Sequence, residues 1–292
     1  MTDEGWFATP DVEEPHPALQ SMAGAARRAC TPCGDGMLAW RAWGQGEPIV
    51  LLHGGSGSWR HWLRNIGHLA ADRMVICPDL PGLGDSALPP AGASPESIAP
   101  ILREGLQWVL PRDAAYDLVG FSFGALCAGH LAALDREACR SLTIVGAGAL
   151  GFPRSPTELV QVRHLHGTAR EEANRHNLAE LMFADPARID ELALRIQDLH
   201  TRQARFKSRR WANTDSLKRA LQRVRVPLAG IYGEQDAIAR PHVQLRLDLL
   251  REIQPTARTA AIPGAGHWVA YEAADAFNAI LAGFVARDRP AE

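Results

Sequence analysis

Ser122 stands in the run Gly120-Phe121-Ser122-Phe123-Gly124, after the apolar pair Leu118-Val119 and before an Ala/Gly-rich stretch. A serine between glycines two residues away on each side, leaving a strand and entering a helix, is a nucleophile elbow. The turn is too tight for side chains at the flanking positions, and the hydroxyl is left exposed at the start of a helix. A serine hydroxyl is a weak nucleophile at neutral pH and needs a base held against it. In this arrangement the acid and then the histidine follow the serine along the chain. His267 lies in Pro263-Gly264-Ala265-Gly266-His267-Trp268, directly after the apolar run 259–262. The acid is expected at the end of a strand between the two. Asp236 in Gly233-Glu234-Gln235-Asp236 fills that place, with Glu234 as the near alternative. An acid there would fix the imidazole tautomer and stabilise the imidazolium.

The run His53-Gly54-Gly55-Ser56-Gly57-Ser58 supplies bare backbone N–H groups after another apolar run, 49–52. The N–H groups of Gly55 and Phe123 are the expected oxyanion hole. Each piece alone has an ordinary explanation: a chance motif, a loop histidine, an aspartate in a turn. Four pieces in the right order, each closing a different apolar run, point to acyl-transfer chemistry.

These positions demand a particular scaffold. The apolar runs at 49–52, 74–77, 118–119, 142–145, 228–232 and 259–262 do not alternate with polar residues, so they read as strands buried on both faces. Helical stretches separate them, at about 59–71, 95–110, 123–137, 238–253 and 272–287. Strand and helix in alternation predict an α/β fold, a mostly parallel central sheet with helices on both faces. Residues 151–226 carry no strand-like run and read as a helical cap over the sheet. Within them Asp185-Pro186 reads as a helix start, followed by a stripe of Ile189, Leu192, Ile196 and Leu199. The organisation is then an extended N-terminal arm (1–25), a core (26–150 and 227–292) and the cap (151–226). The arm could clasp a second subunit, which leaves a homo-oligomer open.

Composition narrows the functional classes. The chain has 292 residues, 46% hydrophobic and 22% charged, and a net charge of −2. That balance offers no basic surface for nucleic acid and none for an anionic membrane. No apolar stretch approaches membrane-spanning length, and the acidic start (Met1-Thr2-Asp3-Glu4) has no signal-peptide pattern, so a cytoplasmic protein is expected. Five cysteines make no disulfide framework; Cys30 and Cys33 form a CxxC read as a turn between edge strands. His164 and His166 are two apart and cannot share a helix face, so no metal is expected there, and with no H-E-x-x-H, P-loop or G-x-G-x-x-G after a strand no cofactor is expected either. The expected partner is a small-molecule substrate.

The elbow, the HGG loop and the turn Asp79-Leu80-Pro81-Gly82-Leu83-Gly84-Asp85-Ser86 together resemble the α/β-hydrolase-fold enzymes, from about Ala25 onward. Within that fold the chain most resembles the meta-cleavage-product (C–C bond) hydrolases of aromatic degradation and the carboxylesterases near them. The pair His267-Trp268, the run Gly146-Ala147-Gly148-Ala149-Leu150-Gly151 and the stretch 177–185 carry this resemblance. It implies a serine hydrolase with Ser122, Asp236 and His267 as triad. It also implies substrate contacts at Gly54, Ser56, Phe121, Arg195 and Trp268, with Arg195 at the substrate's acidic end. The chain departs from those hydrolases at Phe121, where a polar residue is usual, and in lacking a proline after the glycines of the HGG loop. Both departures shift the expectation toward ordinary esters, lactones or amides. The alternative is a ligand-sensing receptor on the same fold, which would bind with little turnover.

Overall fold

A computed structural model describes residues 6–8 and 14–286. Nine strands form one sheet: β1 (Phe7–Ala8), β2 (Arg27–Cys33), β3 (Gly36–Trp43), β4 (Glu47–Leu52), β5 (Arg73–Pro78), β6 (Tyr116–Phe121), β7 (Cys139–Val145), β8 (Leu228–Gly233) and β9 (Arg258–Ile262). Their order across the sheet is β1-β2-β3-β5-β4-β6-β7-β8-β9. The six strands from β5 to β9 are all parallel, and β1, β2 and β3 add an antiparallel edge. The helices are α1 (Pro17–Gly24), α2 (Leu63–Leu69), α3 (Pro95–Val109), α4 (Phe123–Leu134), α5 (Gly167–Leu181), α6 (Glu191–Gln203), α7 (Ser216–Leu221), α8 (Val243–Ile253), α9 (Val269–Glu272) and α10 (Ala274–Val285). The expected fold class is the one observed.

Five of the apolar runs are strands covered on both faces; the sixth, 259–262, is not, because β9 is the edge strand and only Ile262 in it is buried. In β4, Ile49 and Leu51 pack into one core and Val50 and Leu52 into the other, all fully buried. The chain leaves β4 toward β5 on one side and returns to β6 on the other. The reversal opens a crevice at the carboxyl ends of β4 and β6, the place where open α/β sheets bind ligands. Leu52 pairs with Gly120 there, so the HGG loop and the elbow start side by side.

Two glycines make that junction possible. A Cβ on Gly120 would lie 2.5 Å from the Gly124 carbonyl oxygen and 2.6 Å from the Ala125 Cα. A Cβ on Gly124 would lie 2.5 Å from the His53 carbonyl oxygen, and would also strike that of Leu52. The first glycine lets the chain double back on itself; the second lets α4 press against the end of β4.

Three local expectations need correction. The arm is not wholly extended: Pro17–Gly24 is a helix capped by His16, whose Nδ1 accepts the Ala18 N–H at 3.1 Å. Pro17 occupies the first helical position, where its missing N–H costs nothing. Leu19 and Ala23 are buried, and the Trp43 indole donates to the Met22 carbonyl at 2.8 Å. Residues 1–5 and 9–13 of the arm lie outside the described residues. Cys30 and Cys33 lie within β2, not in a turn, one exposed and one buried. Their odd spacing on a strand puts them on opposite faces. Asp185-Pro186 starts only a single 3-10 turn; α6 begins five residues later, with Asp190 as its cap, accepting the Ala193 N–H at 2.8 Å.

Among the described residues, 151–226 contain helices and turns but no strand. No described helix is long and apolar enough to cross a membrane, and no group of three or more His, Cys, Asp or Glu among them could hold a metal.

Candidate active site

Ser122 takes φ 52° and ψ −114°, a conformation strained for a residue with a Cβ. The fold holds it there: its N–H donates to the Val145 carbonyl at 2.8 Å, and its carbonyl accepts from Ala125 at 3.0 Å. The strain lifts the hydroxyl out of the strand line at the N-terminus of α4. His267 Nε2 lies 3.0 Å from Ser122 Oγ, and His267 Nδ1 lies 2.8 Å from Asp236 Oδ2. Asp236 is fully buried, and its other oxygen accepts the N–H groups of Ile238 (2.8 Å) and Ala239 (3.2 Å). A carboxylate only accepts, so His267 carries its proton on Nδ1 and offers Nε2 to the serine. Glu234 is exposed and makes no such bond.

The loop bearing His267 is tied down by a residue the sequence reading missed. The buried Glu272 carboxylate accepts N–H groups from Gly266 (2.6 Å), Ala184 (3.0 Å) and Asp185 (2.9 Å). It joins the histidine loop to the stretch after α5. The Trp268 N–H adds a bond to the Met182 carbonyl at 2.8 Å.

Gly55 and Phe123 face each other: a Cβ on Gly55 would lie 3.6 Å from the Phe123 Cβ. Among the described residues neither backbone N–H has a protein partner. Phe123 opens α4, where no intrahelical acceptor exists. The peptide that aims the Gly55 N–H is locked by histidines. Leu80 N–H donates to His53 Nε2 at 2.8 Å, so His53 carries its proton on Nδ1 and donates to the Gly54 carbonyl at 2.8 Å. Gly57 N–H donates to the same carbonyl at 3.1 Å. The Gly54 N–H donates to His61 Nδ1 at 3.2 Å, which puts the His61 proton on Nε2. Two neutral imidazoles with assigned tautomers therefore brace Gly54 from both sides, His53 at its carbonyl in the Gly54–Gly55 peptide and His61 at its N–H in the peptide before.

A cavity of about 250 Å³ covers the serine. Gly54, Gly55, Ser56, Phe121, Phe123 and His267 line its base. The segment 151–226 supplies the other wall, including Arg154, Asn177, Gln197, His200, Ser208 and Arg209. Two expected contacts are not made. Arg195 points outward, half exposed and 3.3 Å from Glu191, and does not line the cavity. The buried face of α6 runs through Ala193, Ile196 and His200, one step round the helix from the sequence stripe. Trp268 is buried behind the site, its indole donating to the His61 carbonyl at 2.8 Å. It supports the wall without lining it.

Three buried histidines give the protein an acid-labile side. Burial lowers the pKa of His53, and lowers those of His61 and His200 further, with neighbouring histidines adding to the effect on the last two. Below a pH of about 6.5 the unfolded chain takes up protons that the folded chain refuses, so stability falls as pH drops through that range. Melting temperature measured from pH 7.5 to 5.0 should decline steadily. In His200→Phe the decline should be shallower; a slope identical to the parent's would contradict the assignment.

Residues 49–280 match the family described as the alpha/beta hydrolase family. The chain is 29% identical over 272 residues to 2-hydroxy-6-oxo-6-phenylhexa-2,4-dienoate hydrolase of Burkholderia cepacia, covering 83% of this chain and 89% of that one. It is 29% identical over 265 residues to the dihydrolipoyllysine-residue acetyltransferase component of the acetoin cleaving system of Pseudomonas putida, covering 86% and 67%. Among solved structures, a meta-cleavage product hydrolase of Pseudomonas fluorescens IP01 superposes with a TM-score of 0.68 at 24% identity, over 85% of this chain and 93% of that one. At that identity the likeness speaks for the fold.

Proposed function

Since this chain belongs to the alpha/beta hydrolase family, we propose that it hydrolyses a small carbonyl substrate, a carboxylic ester or the C–C bond of a diketone, with Ser122, His267 and Asp236 as its triad. The observation that carries this reading is the unbroken path Asp236–His267–Ser122, with gaps of 2.8 and 3.0 Å, at the floor of the cavity.

Ser122 Oγ attacks the carbonyl carbon while its proton passes to His267 Nε2. Negative charge collects on the carbonyl oxygen, toward the N–H groups of Gly55 and Phe123 and the N-terminus of α4. Preorganised donors of this kind are worth roughly 3 kcal/mol each. The new imidazolium keeps its Nδ1 proton toward Asp236. His267 then gives the Nε2 proton to the departing alkoxide, and the acyl group stays on Ser122. A water molecule loses a proton to His267, attacks the acyl carbon and releases the acid, restoring the serine. For a diketone the same proton goes to the departing carbon.

Phe121, apolar and beside the His267 ring at 4.9 Å, favours the ester over a substrate that needs a polar neighbour at that position. The purified protein should turn over p-nitrophenyl butyrate through many cycles, with a faster rate than 2-hydroxy-6-oxo-dienoates. A single stoichiometric burst without turnover would contradict hydrolysis and favour a ligand sensor.

A further inference from the structure

The cavity over Ser122 is lined by two arginines and by no carboxylate. The whole chain carries a net charge of −2, so this excess of positive charge is local. Other arginines of the same segment are partnered: Arg170, Arg188, Arg195, Arg202 and Arg219 each have an aspartate or glutamate within 4 Å, and Arg163, Arg175, Arg205, Arg210 and Arg225 donate to backbone carbonyls. The two that reach the cavity have neither kind of partner among the described residues. Arg154 is half-buried and donates to the Thr157 hydroxyl at 2.9 Å, with no acidic partner among the described residues. Arg209 opens the turn Arg209–Trp211, and its guanidinium has no hydrogen bond or ion pair among them.

The acidic group whose field reaches Arg154 is Asp236. Both of its oxygens are already committed, to His267 and to the N–H groups of Ile238 and Ala239. Burial makes the charged form of Arg154 costlier, and Arg209, exposed overall though it lines the cavity, adds repulsion to it. Like charges kept side by side beside a cavity are relieved by an anion that enters it. A guanidinium fork matches a carboxylate in shape as well as charge.

We propose that Arg154 and Arg209 form an anion-binding subsite, and that the preferred substrate carries a carboxylate in addition to its scissile carbonyl. The acid group sits on the two guanidiniums while the carbonyl is presented to Ser122. The small cavity restricts the spacer to a few carbons. This proposal rests on the reading of Ser122 as nucleophile, and the test separates the two.

The test compares p-nitrophenyl hydrogen glutarate with p-nitrophenyl valerate, which share size and leaving group and differ in charge. The parent protein should favour the acid ester by at least tenfold in kcat/KM. Arg154→Met and Arg209→Met should each lower that ratio about threefold, and the double variant should bring it near one. A parent ratio near one, or a ratio that neither substitution moves, would overturn the subsite while leaving the hydrolase reading intact. Titration of monomethyl glutarate into Ser122→Ala gives a readout independent of turnover. Heat of binding that disappears with Arg154→Met supports the subsite; no binding, or binding unchanged by it, contradicts it. Absence of turnover with every ester would instead count against Ser122 chemistry.

Discussion

Ser122→Ala should lower kcat by about 10⁶-fold on any ester the protein hydrolyses, with little change in fold. The size of the effect follows from what the side chain does. Among the described residues its hydroxyl makes one hydrogen bond, to His267. Losing that bond costs stability on the order of 1 kcal/mol. Losing the nucleophile removes the covalent route entirely. What remains is the oxyanion hole and the binding cavity, worth roughly 10³- to 10⁴-fold over water. Steady-state rates with p-nitrophenyl butyrate, alongside a melting curve, give both numbers. A variant that keeps a tenth of the parent rate would remove Ser122 from the mechanism.

Asp236→Asn should lower kcat by about 10⁴-fold. Asparagine keeps an oxygen for the N–H groups of Ile238 and Ala239, so the turn after β8 survives. The substituted atom is the one facing His267 Nδ1. There an NH₂ group replaces an acceptor, and the imidazole moves its proton to Nε2 to offer a lone pair back. The nitrogen that must receive the serine proton is then already protonated. The signature is spectroscopic as well as kinetic. The far-downfield proton resonance of the Nδ1–H bonded to a carboxylate should vanish, while backbone dichroism stays unchanged. Activity within tenfold of the parent, or a resonance that persists, would mean that the carboxylate does not set the tautomer.

Legibility along the chain followed the strength of the local constraint. The elbow was readable because steric crowding at Gly120 and Gly124 leaves few residue types that fit, and the order of strand ends fixed the partners. Five of the six parallel strands were readable because burial on both faces keeps their central runs apolar; β9, the edge strand, is only partly buried. The wall of the cavity was not. Arg195 flanks the stripe of Ile189, Leu192, Ile196 and Leu199, but α6 starts after a separate 3-10 turn, and Ile189 does not share its phase. A wheel drawn from Ala193, Ile196 and His200 would have turned Arg195 out and Gln197 in. Arg154, Ser208 and Arg209 lie outside regular helices, where no periodicity marks a face. His61 was hidden because its role is to accept a backbone N–H from the HGG loop, a bond with no sequence signal. The helix α1 was lost among prolines that looked like breakers, although Pro17 serves as a helix start.

The central claim is that one hydroxyl, activated through His267, takes the acyl group from the substrate. Paraoxon, a p-nitrophenyl phosphate triester, traps such a hydroxyl as a stable phosphoryl adduct with release of nitrophenol. Peptide mapping by mass spectrometry after stoichiometric reaction locates it. A single adduct per chain is expected, on Ser122, formed far more slowly in Asp236→Asn. An adduct on another residue, or an unmodified protein that still hydrolyses esters, would contradict it.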